Sequence, residues 1–376
     1  MIPIQKEKLI ISPEDIKPSN KKLEILGTFN PGAARLPNGD IILYVRVLEK
    51  VKEFTDEKYA YSPRCEGNSK CNIIIDKFPI KGSELDQEYA IIFEDETKRL
   101  SYISHLRRVI LDKTGFNIKF IDKKPSFVGL SEDGELGVED ARITKIEDKY
   151  YMTYVTLSRD ENVSTSLAIS DDCINWKRKG IIFREQNKDV VLFPEKINDK
   201  YQAFNRPEGN FEFTPPHIRL STSKDLENWG HPKSIRLSQK GGWDYSRIGA
   251  GPPPIRTEKG WLQIYHGVSN KNKRTNVPKF LRKLLGVETE YSEYSAGAAL
   301  YDLNNPEKLI AKSPKPILSP RKKYEKIGFV NNVIFPTGLV KDLDDKYILL
   351  YSGGADRVVT VKKILLKEIL STLKRV

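Results

Sequence analysis

EDKYYMTYVT, residues 147–156, is the stretch whose reading decides the fold. A turn of acidic residues and lysine leads into a strand whose aromatic and apolar side chains alternate, the period of a chain that turns one face to a core. The same pattern returns as NGDIILYVRV (38–47), NDKYQAFNRP (198–207), EKGWLQIYHGV (258–268) and DDKYILLYSGG (344–354). A second signature follows two of these, ISDDCINW (169–176) and TSKDLENW (222–229), in which a Ser-x-Asp turn ahead of a tryptophan opens the next hairpin. Copies spaced by roughly 50 to 110 residues are too far apart for a solenoid and suit four-stranded propeller blades. The reading is an all-β, five-bladed β-propeller spanning 1–376 as a single domain. It carries long inserted loops at about 50–100 and 269–293. The last segment, VKKILLKEILSTLKRV (361–376), has the apolar spacing of an amphipathic helix at Ile364, Leu365, Ile369 and Leu373. A β-sandwich with repeated hairpins is the plainer alternative.

Composition narrows the function classes. The 376 residues are 39% hydrophobic and 30% charged, values of a globular chain. No apolar run approaches a membrane span, and MIPIQKEKLII lacks the apolar core of a secretory signal, so the expected location is cytoplasmic. The net charge of +12 is dispersed, with clusters only at KNKR (271–274), RKK (321–323) and the last segment. Such an excess gives a general attraction for anions, and no nucleic-acid motif accompanies it. Of the three cysteines, Cys65 and Cys71 could form half a metal site, but no second pair exists; they read as inert thiols, and no metal is expected.

Polar residues gather at equivalent ends of the repeats, where propeller strands converge on an axial channel. Asn30, Asp140, His266 and Asp356 suit vicinal hydroxyls; Arg46, Arg142, Lys188, Arg206 and Arg247 supply positive charge. Tyr265, Trp261 and Phe335 offer flat faces to a pyranose ring. A sugar together with an anion is the natural guest. Each residue also has an ordinary reading. Asp140 can cap its turn with Arg142 as a surface partner, His266 can be a hydrogen-bonded core histidine, and Lys188 and Arg247 can be solvated charges.

As an ordered set, FNPGA (29–33), SHLR (104–107), GVEDARI (137–143), NKDVVLFPEK (187–196), RIGAGPPPI (247–255), VNNVIFPTG (330–338) and YSGGAD (351–356) resemble glycoside hydrolase family 130. The match runs from about residue 25 to 358 over all five repeats, and the family fold is a five-bladed propeller. The resemblance implies an inverting β-mannoside phosphorylase with inorganic phosphate as co-substrate and no cofactor. Phosphate attacks C1 of a non-reducing mannose and yields α-mannose 1-phosphate. Alternatives are a β-mannoside hydrolase of the same family, a mannosyltransferase with a nucleotide-sugar donor, and a sugar-binding scaffold. Asp140 takes the place of the general acid, relaying its proton through the mannose 3-hydroxyl, and is expected to have a raised pKa. Lys188, Arg206 and Arg247 form the phosphate cradle with Arg46 and Arg142 close by. Asn30, Arg107, Glu139, Asn205, Tyr265, His266 and Asp356 complete the substrate-binding set. Departures from the family pattern are Ala141 for proline, Asn205 for histidine and Arg247 for lysine. The expected partners are an oligosaccharide and phosphate, without nucleic acid or membrane; a homo-oligomer is compatible with the final segment and the 269–293 loop.

Overall fold

In the strand Ile41–Val51, both faces are buried. Ile41, Leu43, Val45 and Val47 enter one apolar cluster with Leu349, Tyr351 and Val359. Ile42 and Tyr44 enter another with Ile143, Met152 and Tyr154. Alternation in this chain therefore sorts side chains between two cores, not between core and water. The computed structural model describes residues 1–67, 72–86, 89–184, 186–208, 213–238, 240–272 and 290–376.

Four-stranded antiparallel sheets follow one another along the chain. The first blade is Leu23–Arg35, Ile41–Val51, Tyr102–Leu111 and Ile118–Ile121. The second is Gly137–Ile146, Lys149–Ser158, Asn162–Ser170 and Lys177–Phe183; the third is Asn187–Leu192, Tyr201–Pro207, Arg219–Ser223 and Gly230–Ser234. The fourth is built on Arg247–Ala250, Gly260–Asn272, Glu290–Tyr301 and Leu309–Lys312, with Ile255–Thr257 and Lys374–Arg375 added. The fifth joins Ile334–Lys341, Tyr347–Gly354 and Val358–Leu365 to the N-terminal strand Lys6–Ile11, which takes the outermost seat. The first strands of successive sheets pack on one another, and the fourth sheet meets the fifth through Gly260–Asn272. An apolar cluster fills every gap between neighbouring sheets, including that between the fifth and the first. This closed ring is the five-bladed arrangement. Fully burying each of these large side chains contributes about 1.5–3 kcal/mol, so the ring is held by its five seams.

The Ser-x-Asp turns behave as read. Asp172 accepts the amides of Ile174 and Asn175, and Asp225 those of Glu227 and Asn228. Trp176 then donates its indole N–H to the Tyr44 hydroxyl at 2.8 Å, tying the second blade to the first.

Four expectations need correction. The 50–100 insertion is folded: a hairpin of Tyr59–Glu66 and Asn72–Pro79, and a small sheet of Ser83–Asp86, Ala90–Phe93 and Lys98–Leu100. Its own core is built on Leu23, Val51, Phe54, Ala60 and Ile91. Most of the 361–376 segment is not helical, because Val358–Leu365 is a paired strand; only Leu366–Ser371 turns into a short helix. The ends of the 269–293 loop extend a hairpin, Ser269 facing Glu293, while 273–289 lie outside the described residues. Cys173 is a free buried thiol, whereas Cys65 is disulfide-bonded and so no inert thiol; Cys71 lies outside the described residues. No described helix is long and apolar enough to cross a membrane.

Candidate active site

The innermost strands of the first three blades each carry a bulge at the same place, where the register slips between Phe29 and Gly32, Glu139 and Arg142, and Lys188 and Val191. At each slip one polar residue adopts a left-handed backbone: Asn30 (φ 46°), Asp140 (φ 49°) and Asp189 (φ 55°). Asn and Asp tolerate this region best after glycine, and a bulge re-aims the side chain it carries. Three successive blades thus present an amide and two carboxylates to the axis.

Asp140 Oδ1 accepts from Asn30 Nδ2 at 3.0 Å and Arg46 Nη1 at 3.2 Å. Arg46 also donates to Glu139 Oε1 at 2.6 Å and to Ser104 Oγ at 3.0 Å, with its guanidinium over the Phe29 ring. Lys188 Nζ stands 3.5 Å from Glu139 Oε2. Asp356, left-handed at φ 49°, lies within electrostatic reach of Arg46, Asp140, Glu139 and Lys188. A Cβ on Gly353 would fall 2.2 Å from Asn30 Oδ1, so only glycine lets the fifth blade approach.

A second cluster adjoins the first. Arg142, fully buried, donates to the Asp140 carbonyl at 2.8 Å and the Gly251 carbonyl at 2.8 Å, and faces Asp189 at 3.4 Å. Asp189 Oδ2 accepts from Arg206 Nε at 2.7 Å and lies 3.5 Å from His266 Nε2. Arg206 and Arg247 share the Glu208 carboxylate, the latter at 3.1 Å. Phe335 packs on the His266 ring at 4.3 Å. The missing side chain of Gly249 completes the fit, since a Cβ there would lie 2.1 Å from Asp189 Oδ2.

Protonation follows from this crowding. Burial alone raises Asp140, but Arg46, Arg142, the Asn30 hydrogen bond and Lys188 outweigh it and hold the carboxyl below the ordinary range. The expected raised pKa is therefore not found at this carboxyl in the free protein; it resides on its neighbour. Burial pushes Asp356 up to about 7, against Arg46 and helped by Asp140 and Glu139. His266 is lowered to about 3 by burial, against the pull of Asp189, so its ring is neutral. Its two ring nitrogens and Asn30 Oδ1 are buried with no hydrogen-bond partner among the described residues, the state of groups built to receive a ligand.

A consequence for stability can be measured. Asp356 in the folded chain ionises near 7, against 3.8 ordinarily, so it stabilises least above pH 7, where both states are ionised and the folded state bears the full electrostatic penalty. Asp356→Asn is expected to raise stability at pH 8 by about 1–3 kcal/mol, a value discounted for the side chain's remaining solvent contact. The gain fades as pH falls towards 4. Urea unfolding of both proteins at pH 8 and pH 4.5 checks it, and a gain equal at both values contradicts it.

The structure brings together Asp140, Asn30, Glu139, Arg46, Arg142, Lys188, Arg206, Arg247, His266 and Asp356. It does not bring Arg107, Asn205 or Tyr265 to them. Arg107 is buried under the first blade on the carbonyls of Lys17, Asp122 and Lys123. Asn205 points to Asn187, Ser221 and the Arg219 carbonyl. Tyr265 hydrogen-bonds Asp244 inside the core of the third and fourth blades, and Trp261 is buried beside it. Neighbours along a strand point to opposite faces, so Asn205 and Tyr265 lie one position from Arg206 and His266 yet face away. Of the aromatic residues expected near the site, Phe335 alone packs on it. His266 belongs with the cations, not with Asn30 and Asp356. Asp189 and Glu208 were missed. Asp189 was legible as the third-repeat counterpart of Asn30 and Asp140; Glu208, one residue beyond a strand, had no such signal.

Comparison with known proteins fits this geometry. The family model for glycoside hydrolase family 130, described as β-1,4-mannooligosaccharide phosphorylase, matches residues 107–375. The chain is 33% identical over 377 residues to the β-1,2-mannobiose phosphorylase of Listeria innocua, covering 98% of this chain and 97% of that one. It is 37% identical over 270 residues to a 1,2-β-oligomannan phosphorylase of Thermoanaerobacter sp., covering 71% and 81%. The Listeria enzyme's structure with β-1,2-mannobiose superimposes with a TM-score of 0.81 over 96% of both chains at 31% identity. The chain is a member of glycoside hydrolase family 130, the mannoside phosphorylases.

Proposed function

We propose that this protein is an inverting phosphorylase of β-1,2-linked mannobiose or short β-1,2-oligomannosides, releasing α-mannose 1-phosphate, and that its five blades work as one unit around one axial site. The observation that carries the reading is the division of the site. One end holds Asp140 with Asn30, Glu139, Arg46 and Lys188, the other holds Arg206, Arg247 and His266 around Asp189 and Glu208. A single displacement needs an acid on the leaving-group side and a nucleophile on the opposite face of the sugar. The near full-length likeness to a β-1,2-mannobiose phosphorylase favours that linkage.

In this reading, a phosphate oxygen bonds to C1 as the C1–O glycosidic bond breaks. The leaving oxygen takes the proton of the mannose 3-hydroxyl, which is replenished from Asp140. Arrival of phosphate beside Arg142 and Lys188 offsets the positive charge that keeps Asp140 ionised, so the acid gains its proton as the site fills. The cations stabilise phosphate where it reacts. Asn205, the departure that favoured a hydrolase, is turned away from the cluster, which supports phosphorolysis over attack by water. A charged sugar phosphate does not cross a membrane unaided, so a cytoplasmic site suits the product.

Incubation with β-1,2-mannobiose, with and without phosphate, followed by ³¹P NMR tests the reading. α-Mannose 1-phosphate formed only with phosphate is the expected result. Free mannose released at the same rate without phosphate rejects it.

A further inference from the structure

We propose that Glu208 sets how tightly this enzyme takes phosphate: its carboxylate bridges Arg206 and Arg247 across the cation end of the site, and inorganic phosphate binds by displacing it. The inference rests on the reading that these two arginines face phosphate.

Charge favours a displacement. Five cations line the two clusters, Arg46, Arg142, Lys188, Arg206 and Arg247. Five carboxyl groups already stand among them: Glu139 and Asp140 on Arg46, Asp189 on Arg142 and Arg206, Glu208 on Arg206 and Arg247, and Asp356, partly protonated near neutral pH, within electrostatic reach of Arg46 and Lys188. A phosphate anion added to a cluster so nearly compensated meets carboxylate repulsion, which eases when one carboxylate withdraws.

Glu208 is the one able to do so. Asp189 is locked between two buried guanidinium groups, its side chain 3% exposed, and Glu139 is held by Arg46 and Lys188 at 6%. The Glu208 side chain is 21% exposed and sits just past the end of Tyr201–Pro207. Its amide is fastened to the Gln186 carbonyl at 2.7 Å, so the side chain can swing to solvent without moving the strand. Arg247, its outer partner, is 40% exposed and touches the Tyr294 hydroxyl at 3.5 Å, which leaves Arg247 oriented once the carboxylate has gone. The carboxylate thus keeps the cradle preformed and excludes weaker anions, and phosphate must outcompete it.

The test is Glu208→Gln in the full chain, with inorganic phosphate titrated by calorimetry and by thermal shift in the absence of any mannoside. Phosphate affinity is expected to rise by about tenfold, the effect of removing one like charge, and KM for phosphate to fall in parallel while KM for the mannoside stays within twofold. Unchanged or weaker phosphate binding overturns the proposal, since a carboxylate that only positions Arg247 gives weaker binding when removed. Should the glutamine variant not fold, Glu208→Asp carries the same test, its retracted carboxylate giving a smaller gain in the same direction. Wild-type protein that binds no phosphate by either method removes the underlying reading of Arg206 and Arg247, a result distinct from binding that Glu208→Gln leaves unaltered.

Discussion

Asp140→Asn is expected to lower kcat/KM for mannoside phosphorolysis by about 10³-fold, within the range of general acid catalysis, while leaving the fold in place. The backbone argument is specific. Position 140 is left-handed, and asparagine tolerates that region as well as aspartate does, as Asn30 demonstrates at the matching bulge one blade earlier. An amide still accepts from Arg46 through its oxygen, and Arg46 keeps Glu139, so the lost charge costs about 1–2 kcal/mol of stability. What the amide cannot do is give up a proton. Removing a carboxylate beside Arg142 and Lys188 also leaves phosphate binding intact or stronger. Initial rates by ³¹P NMR and the phosphate-induced thermal shift separate these effects. A mannoside with a leaving group that needs no protonation is expected to lose far less. Undiminished turnover of mannobiose by the variant excludes Asp140 as the acid.

Asp189→Ala is expected to destabilise the protein by about 3–5 kcal/mol, the cost of stranding buried charges. Arg142 and Arg206 would lose their common carboxylate with side chains only 1% and 6% exposed, and His266 would lose the carboxylate 3.5 Å from its Nε2. Burial opposes the ionised carboxyl, yet Arg206, His266 and Arg142 hold it at about 2. A depressed acid stabilises above its unfolded value, near 3.8, and loses that contribution as pH falls through about 2. The deficit of the variant should therefore be full at pH 7 and shrink as pH is taken towards 3. Asp189→Asn is expected to be milder, because its amide oxygen still accepts from Arg206 Nε. Urea unfolding across this range checks both, and a loss below about 1 kcal/mol at pH 7 contradicts the buried-pair argument.

The repeats made the blades legible because each central strand is entered from a tight turn and feeds two cores. The same property misled at the C-terminal end. Ile364, Leu365 and Ile369 fit a helical stripe, but Val358–Leu365 pairs on both sides, with Tyr347–Gly354 and with Lys6–Ile11. Lys362 is buried in that sheet against Glu325. Long-range pairing overrode local preference. At the site, residue type announced Asp140 and the cations, but the face of each strand was hidden. The bulges shift register by one, and a shift of one exchanges which neighbour faces the axis. On the second strands of the third and fourth blades, plain period-two alternation puts Arg206 and His266 in the cluster while Asn205 and Tyr265 face away. Asp189, between Lys188 and Val190, is marked by its place at the third of the three coinciding slips.

The N-terminal strand has a further consequence. Lys6 finds its partner only at Lys363, so the ring is fastened by an early strand and a late one. During synthesis the early segment waits with unmatched backbone groups until Val358–Leu365 has emerged, and the fifth sheet offers a bare edge to match. At high concentration, that edge accepts the same segment from another copy as readily as from its own. Refolding from denaturant should therefore yield strand-exchanged pairs in proportion to concentration, locked by the very pairing that seals a lone molecule.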